Sequence, residues 1–119
     1  MTEERNLSML SDYYEFTMGN GYYNQGMKDT IAVFDAFYRT NPDKGGFAIF
    51  SGLEDIIDYI ENIKFTDEDI EFFRKNSNFS EGFLEYLKNF KFTGDIWAFK
   101  EGSAMFPGEP IVTVRAPII

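Results

Sequence analysis

Between Ser51 and Ile63 the apolar side chains recur at helical spacing. Leu53, Ile56, Ile57, Ile60 and Ile63 form one stripe, and acids fill the other face. Only a helix collects these residues on one side, so the chain must build one here and find a surface to cover the stripe. Ser51 is expected to cap that helix with Glu54 completing a capping box, and the isoleucines are expected to point into the core.

Three more helices follow from the same reasoning. One starts at Asp12, with Glu15 three residues on as a capping box requires, and stops at Gly26. Phe16, Tyr23 and Met27 recur along it, with Gly19 and Asn20 on the same side. Gly19 and Gly21 weaken this helix, but small residues there would let another backbone approach. Thr66 caps a second, running to about Lys75 with Ile70 and Phe73 inward. Ser80 caps a third, with Phe83, Leu84, Leu87 and Phe90 inward. Thr30 to Arg39 reads as a strand apolar on both faces, hence central in its sheet. Asn41 to Gly46 is a loop, and Phe47 to Phe50 a short second strand. Asp95–Lys100 and Ile111–Arg115 complete the strands, punctuated by Gly102, Pro107, Gly108 and Pro110. Helix, strand, helices, then strands is an α+β order, not regular βαβ. The chain stops at Ala116-Pro117-Ile118-Ile119, just past a strand and with no polar tail. It is therefore expected to be a piece of a longer protein.

Of the 119 residues, 44% are apolar, with 14 Phe and 7 Tyr, enough bulk for a real core in one domain. The formal charge is -9, which opposes contact with nucleic acid. The acids are spread over helix faces and read as solvated surface. There is no Cys and no His. That excludes disulfides, His or Cys zinc sites and Ser-His or Cys-His nucleophile pairs built from this chain alone. No segment is long and apolar enough to span a membrane, and the N-terminus leads into no signal core, so a cytoplasmic location is expected.

No Gly-rich phosphate loop of the dinucleotide or P-loop type is present. Two places carry possible chemistry. Asp12-Tyr13-Tyr14 sits at a helix start, where an aromatic ring on a rigid element could stack a flat heteroaromatic ligand. The plainer reading of the same spacing is a cap and two core tyrosines. Arg39 ends an apolar strand before a Gly-rich loop, a place where a planar guanidinium suits phosphate. Its plainer reading is a surface ion pair.

At these residues the sequence resembles the nicotinate phosphoribosyltransferases. The resemblance runs in order through Leu10-Ser11-Asp12-Tyr13-Tyr14-Glu15-Phe16-Thr17-Met18, Phe34-Asp35-Ala36-Phe37-Tyr38-Arg39 and Gly45 to Glu54. It continues through Tyr86 to Ile96 and Phe106-Pro107-Gly108-Glu109-Pro110-Ile111. Each piece alone is weak, but five in order are specific. Small departures are Ser11 where Thr is frequent, Glu15 where Gln is common, and a Gly-richer Met18-Gly19-Asn20-Gly21.

The resemblance implies an enzyme that joins nicotinate to phosphoribosyl pyrophosphate, giving nicotinate mononucleotide on the way to NAD. Coupling to ATP and Mg in the full-length protein is implied as well. Residues 1–119 would be the N-terminal α+β domain, of hammerhead kind, with helices packed on a small, mostly antiparallel sheet. The catalytic α/β barrel and its phosphorylated histidine would lie outside this chain. The chain alone would then bind no cofactor and be inactive. The resemblance further implies that Tyr14 stacks on the pyridine ring in the neighbouring subunit's site of a homodimer, and that Arg39 serves phosphate. Asp12 either orients the site or caps the helix, and Tyr13 packs. No catalytic residue and no metal ligand is assigned within the chain. Two alternatives stand beside this reading: a non-catalytic assembly domain, and a nicotinamide or quinolinate phosphoribosyltransferase.

Overall fold

The computed structural model describes residues 5–119, so most of the polar lead at the N-terminus falls outside it. Among these residues are four α-helices, α1 (Tyr13–Asn24), α2 (Leu53–Asn62), α3 (Asp67–Asn76) and α4 (Glu81–Lys88), and five strands. The strands are β1 (Ile31–Ala36), β2 (Ala48–Ile49), β3 (Asp95–Ala98), β4 (Ala104–Met105) and β5 (Val112–Pro117). The fold is α+β, as the element order implied.

The strands make a three-stranded sheet of order β1-β5-β3 and a two-stranded ribbon of β2 with β4, antiparallel throughout. The central strand is therefore β5, and β1 is an edge strand, which corrects the sequence reading. The apolar groups on both faces of β1 are not buried: Phe34 is 66% exposed, and Ile31 and Val33 are also open. A run apolar on both faces marks a strand that will be covered, but does not say that its own sheet covers it. The short strand β4 was not foreseen, because two residues carry no periodicity.

The core lies among helices. Phe65, Ile70, Phe73, Phe83, Leu84 and Leu87 are buried together, with Phe16, Tyr23, Phe79, Tyr86, Phe90 and Ile119 packed around them. The helices expected to pack on the sheet thus pack chiefly on one another, α4 against α1 and α3. The cap at Thr66 is a full capping box with Asp69, and the Ser80 hydroxyl accepts from the Phe83 N–H. Helix α1 ends as anticipated at Gly26, in a left-handed conformation (φ +71). The Met27 N–H donates to the Tyr22 carbonyl and the Gly26 N–H to that of Tyr23, a Schellman closure.

Two expected caps are not formed. Asp12 occupies the N-cap position of α1 without a side-chain cap bond. The Glu15 carboxylate instead receives the Ser11 hydroxyl. At α2 the N-cap is Gly52 in a left-handed conformation (φ +103), a backbone state glycine tolerates best. The orphan N–H groups of Gly52 and Leu53 donate to Glu101, at 2.8 and 3.0 Å. A carboxylate about fifty residues away replaces the local box, which no local pattern could reveal.

The isoleucine stripe of α2 is also corrected. No residue of α2 is fully buried, and Ile57 is 44% exposed. The helix lies beside the core rather than in it. The radius of gyration is 16.7 Å, against about 13.5 Å for a compact domain of this length. Sheet and α2 project from the helical core and leave much of their apolar surface open.

Candidate substrate-binding site

Helix α1 presents Tyr14, and its other faces explain how. Tyr13 stacks on Phe79 (centroids 6.1 Å apart) and its hydroxyl donates to Ser77 Oγ at 2.9 Å. Phe16 packs against Phe73 at 4.7 Å. The Asn20 side chain accepts from the Ser80 N–H at 3.0 Å. A methyl added to Gly19 would lie 3.1 Å from the Phe83 ring, so this glycine admits a side chain, not the backbone anticipated. Gly82 of α4 leaves room for the Tyr23 ring, which would sit 2.8 Å from an added methyl. With these faces committed to α3 and α4, Tyr14 points outward and is 59% exposed.

The Tyr14 side chain lines an open cavity of about 560 Å³ between α1, α2, β1 and the C-terminal residues. Met18 and Tyr22 follow Tyr14 at four-residue spacing on the same helix, and Tyr59, Ile63, Phe34 and Ile119 face them. Glu15 is the one charged side chain among the lining residues. Burial, and after it the charge of Glu15, push the Tyr59 phenol above its ordinary value. Sequence reasoning did not single out Tyr59, which lies outside the isoleucine stripe of α2.

Arg39 stands in the bend after β1. Tyr38 anchors that bend. Its hydroxyl lies 2.7 Å from the Met105 carbonyl oxygen and 2.9 Å from Asn41 Oδ1. Its own carbonyl accepts from the Gly108 N–H at 2.9 Å. Gly108 has a φ of +81, which the tight Pro107-Gly108 turn requires. Arg39 itself is exposed, and among the described residues no acid pairs with it. It does not line the Tyr14 cavity, so one chain does not bring the two residues into a single pocket. Asp12 is exposed beside Tyr14. Among the described residues no group of three or more His, Cys, Asp or Glu could hold a metal ion. No described helix is long and apolar enough to cross a membrane.

Residues 9–119 match the model of the nicotinate phosphoribosyltransferase N-terminal domain. The chain belongs to this family. It is 38% identical to the Bacillus subtilis nicotinate phosphoribosyltransferase over 117 residues, 98% of this chain and 24% of that protein. To a Mycobacterium tuberculosis nicotinate phosphoribosyltransferase it is also 38% identical, over 94% of this chain and 24% of that one. The crystal structure of human nicotinic acid phosphoribosyltransferase superposes with a TM-score of 0.82 at 31% identity, over 91% of this chain and 22% of that chain. The chain thus spans about a quarter of the length of the relatives it matches. In this nicotinate phosphoribosyltransferase N-terminal domain, α1, β1 and α2 carry exposed apolar side chains, Tyr14, Phe34 and Ile57 among them.

Proposed function

We propose that this chain is the N-terminal domain of an enzyme that joins nicotinate to phosphoribosyl pyrophosphate, forming nicotinate mononucleotide for NAD synthesis in the cytoplasm. The carrying observation is the match of residues 9–119 to the family's N-terminal domain. The catalytic barrel and the coupling to ATP and Mg belong to the rest of the enzyme.

The domain's own part is substrate binding. Tyr14 lays its ring on the pyridine of nicotinate, a flat ring on a flat ring held by a rigid helix, worth about 0.5–1.5 kcal/mol beyond area burial. Its 59% exposure and its place on an open cavity support this. Arg39, on an anchored bend and without an acidic partner among the described residues, takes the phosphates of phosphoribosyl pyrophosphate through its planar fork. Tyr14 and Arg39 do not share a pocket within one chain, which supports a homodimer, implied by the family resemblance, in which Tyr14 reaches the neighbouring subunit's site. Asp12, unused as a cap, orients the Tyr14 end of the helix. The uncovered apolar side chains of β1, α2 and β3, Phe34 and Trp97 among them, are the surface on which the barrel packs.

The test is direct. The full-length protein should form nicotinate mononucleotide from nicotinate and phosphoribosyl pyrophosphate, and residues 1–119 alone should form none. A full-length protein that uses nicotinamide or quinolinate in preference, or none of the three, would overturn the proposal.

A further inference from the structure

The cavity beside Tyr14 has one electrical feature that its aromatic lining does not share. Glu15 is the one acidic side chain among the lining residues, and no described cation pairs with it. Its described partner is the Ser11 hydroxyl, which is neutral. Three tyrosines, Tyr14, Tyr22 and Tyr59, share the cavity with it. Aromatic faces and an uncompensated carboxylate together attract a flat cation. They disfavour a negative group placed next to Glu15 itself. On α2, burial above all, and Glu15 after it, raise the Tyr59 phenol.

In the proposed reaction the pyridine ring changes charge. Its nitrogen lone pair forms the bond to C1 of the ribose, and the C1–O bond to pyrophosphate breaks. Pyrophosphate leaves with that electron pair, and no proton is transferred. The ring enters neutral at nitrogen and leaves as a pyridinium. We infer that Glu15 makes this cavity selective for the pyridinium form of the ring, with the ring's own carboxylate turned away from α1. The inference rests on the reading of Tyr14 as the stacking residue. Glu15 acts on the charge that develops in the ring, so its contribution is larger for product, and for the transition state leading to it, than for substrate.

The experiment uses the full-length enzyme and three proteins: wild type, Glu15→Gln and Tyr14→Ala. Two constants are measured for each, the KM for nicotinate and the inhibition constant of nicotinate mononucleotide. Glu15→Gln keeps the side-chain shape and a hydrogen-bonding partner for Ser11. It should raise the product inhibition constant about threefold, the scale of an exposed charge acting on a ring cation. The KM for nicotinate should stay unchanged or fall. Equal movement of both constants, or movement of neither, would overturn the inference. Tyr14→Ala separates the two levels. If it leaves the KM for nicotinate unchanged, the stacking reading itself fails. If it raises that KM while Glu15→Gln leaves the ratio of the two constants untouched, only the pyridinium inference fails.

Discussion

Gly94 enters β3 against the central strand, and the same substitution at two glycines should have opposite effects. A methyl at Gly94 would lie 2.4 Å from the Ala116 Cβ and 2.5 Å from the Arg115 carbonyl oxygen. Carbon atoms prefer about 3.5–4.0 Å, so β3 and β5 would have to separate by about 1 Å. The obstacle is backbone and a short side chain, neither of which can swing away. Overpacking costs about 1–3 kcal/mol, and this geometry belongs at the upper end. Removing a glycine from the unfolded chain returns about 0.4–1 kcal/mol. The net expectation for Gly94→Ala is therefore a loss of about 2 kcal/mol or more. Gly21, inside α1, has nothing within 4 Å of an added methyl. Gly21→Ala should gain about 0.5–1 kcal/mol from helix propensity. Urea unfolding followed by far-ultraviolet circular dichroism and by the fluorescence of Trp97 gives both values, with the m-value checked for constancy. A loss below about 0.5 kcal/mol at Gly94, the range of ordinary surface changes, would refute the close approach of β3 and β5.

Three further outcomes are expected. Leu84→Ala, in the helical core, should cost about 2–5 kcal/mol, whereas Ile57→Ala, at a 44% exposed position, should cost under about 1 kcal/mol in the same denaturation assay. The Gly52 and Leu53 N–H groups hold the Glu101 carboxyl below its ordinary 4.5, Leu53 contributing most. The ionised form is favoured by folding, so its contribution is present above about pH 4.5 and lost as pH falls through the lower, folded value. Glu101→Gln should therefore be less stable than wild type at neutral pH, with the gap narrowing below that pH in parallel urea titrations. In the full-length enzyme, Arg39→Lys should raise the KM for phosphoribosyl pyrophosphate with little change in that for nicotinate, because a point charge does not replace a planar fork. An unchanged KM would remove Arg39 from phosphate binding.

The helices were legible wherever capping and burial were both local. Thr66 and Ser80 each begin an amphipathic run whose inward residues, Ile70, Phe73, Phe83, Leu84 and Leu87, are the core itself. The pattern misled where partners lie far away in the chain. The stripe on α2 promised burial that the described residues do not supply, and its cap comes from Glu101. The edge position of β1 was hidden for a similar reason, since an apolar strand looks alike whether its own sheet or another surface covers it. At the site, spacing alone allowed Tyr14 to be a core residue. Tyr13, Phe16, Asn20 and Tyr23 occupy the packed faces of α1, so the structure leaves Tyr14 outside. Tyr59 could have been noticed as the one aromatic among the acids of α2. Tyr38 and Gly108, which fix the Arg39 bend, are joined by a contact across about seventy residues that no local motif expresses.

The proposed role of Tyr14 is to serve nicotinate across a subunit boundary. Two impaired full-length proteins test it when mixed at nicotinate well below the raised KM of the first, one carrying Tyr14→Ala and the other lacking the histidine that the family resemblance places in the barrel. If each site combines Tyr14 of one subunit with the barrel of the other, every heterodimer holds one site free of both defects. Equal mixing should then restore about a quarter of the wild-type rate of nicotinate mononucleotide formation, since half the dimers are mixed and half their sites are intact. A rate no higher than the average of the two unmixed proteins, in a sample shown to contain heterodimers, would contradict the claim and return Tyr14 to its own chain's site or to none.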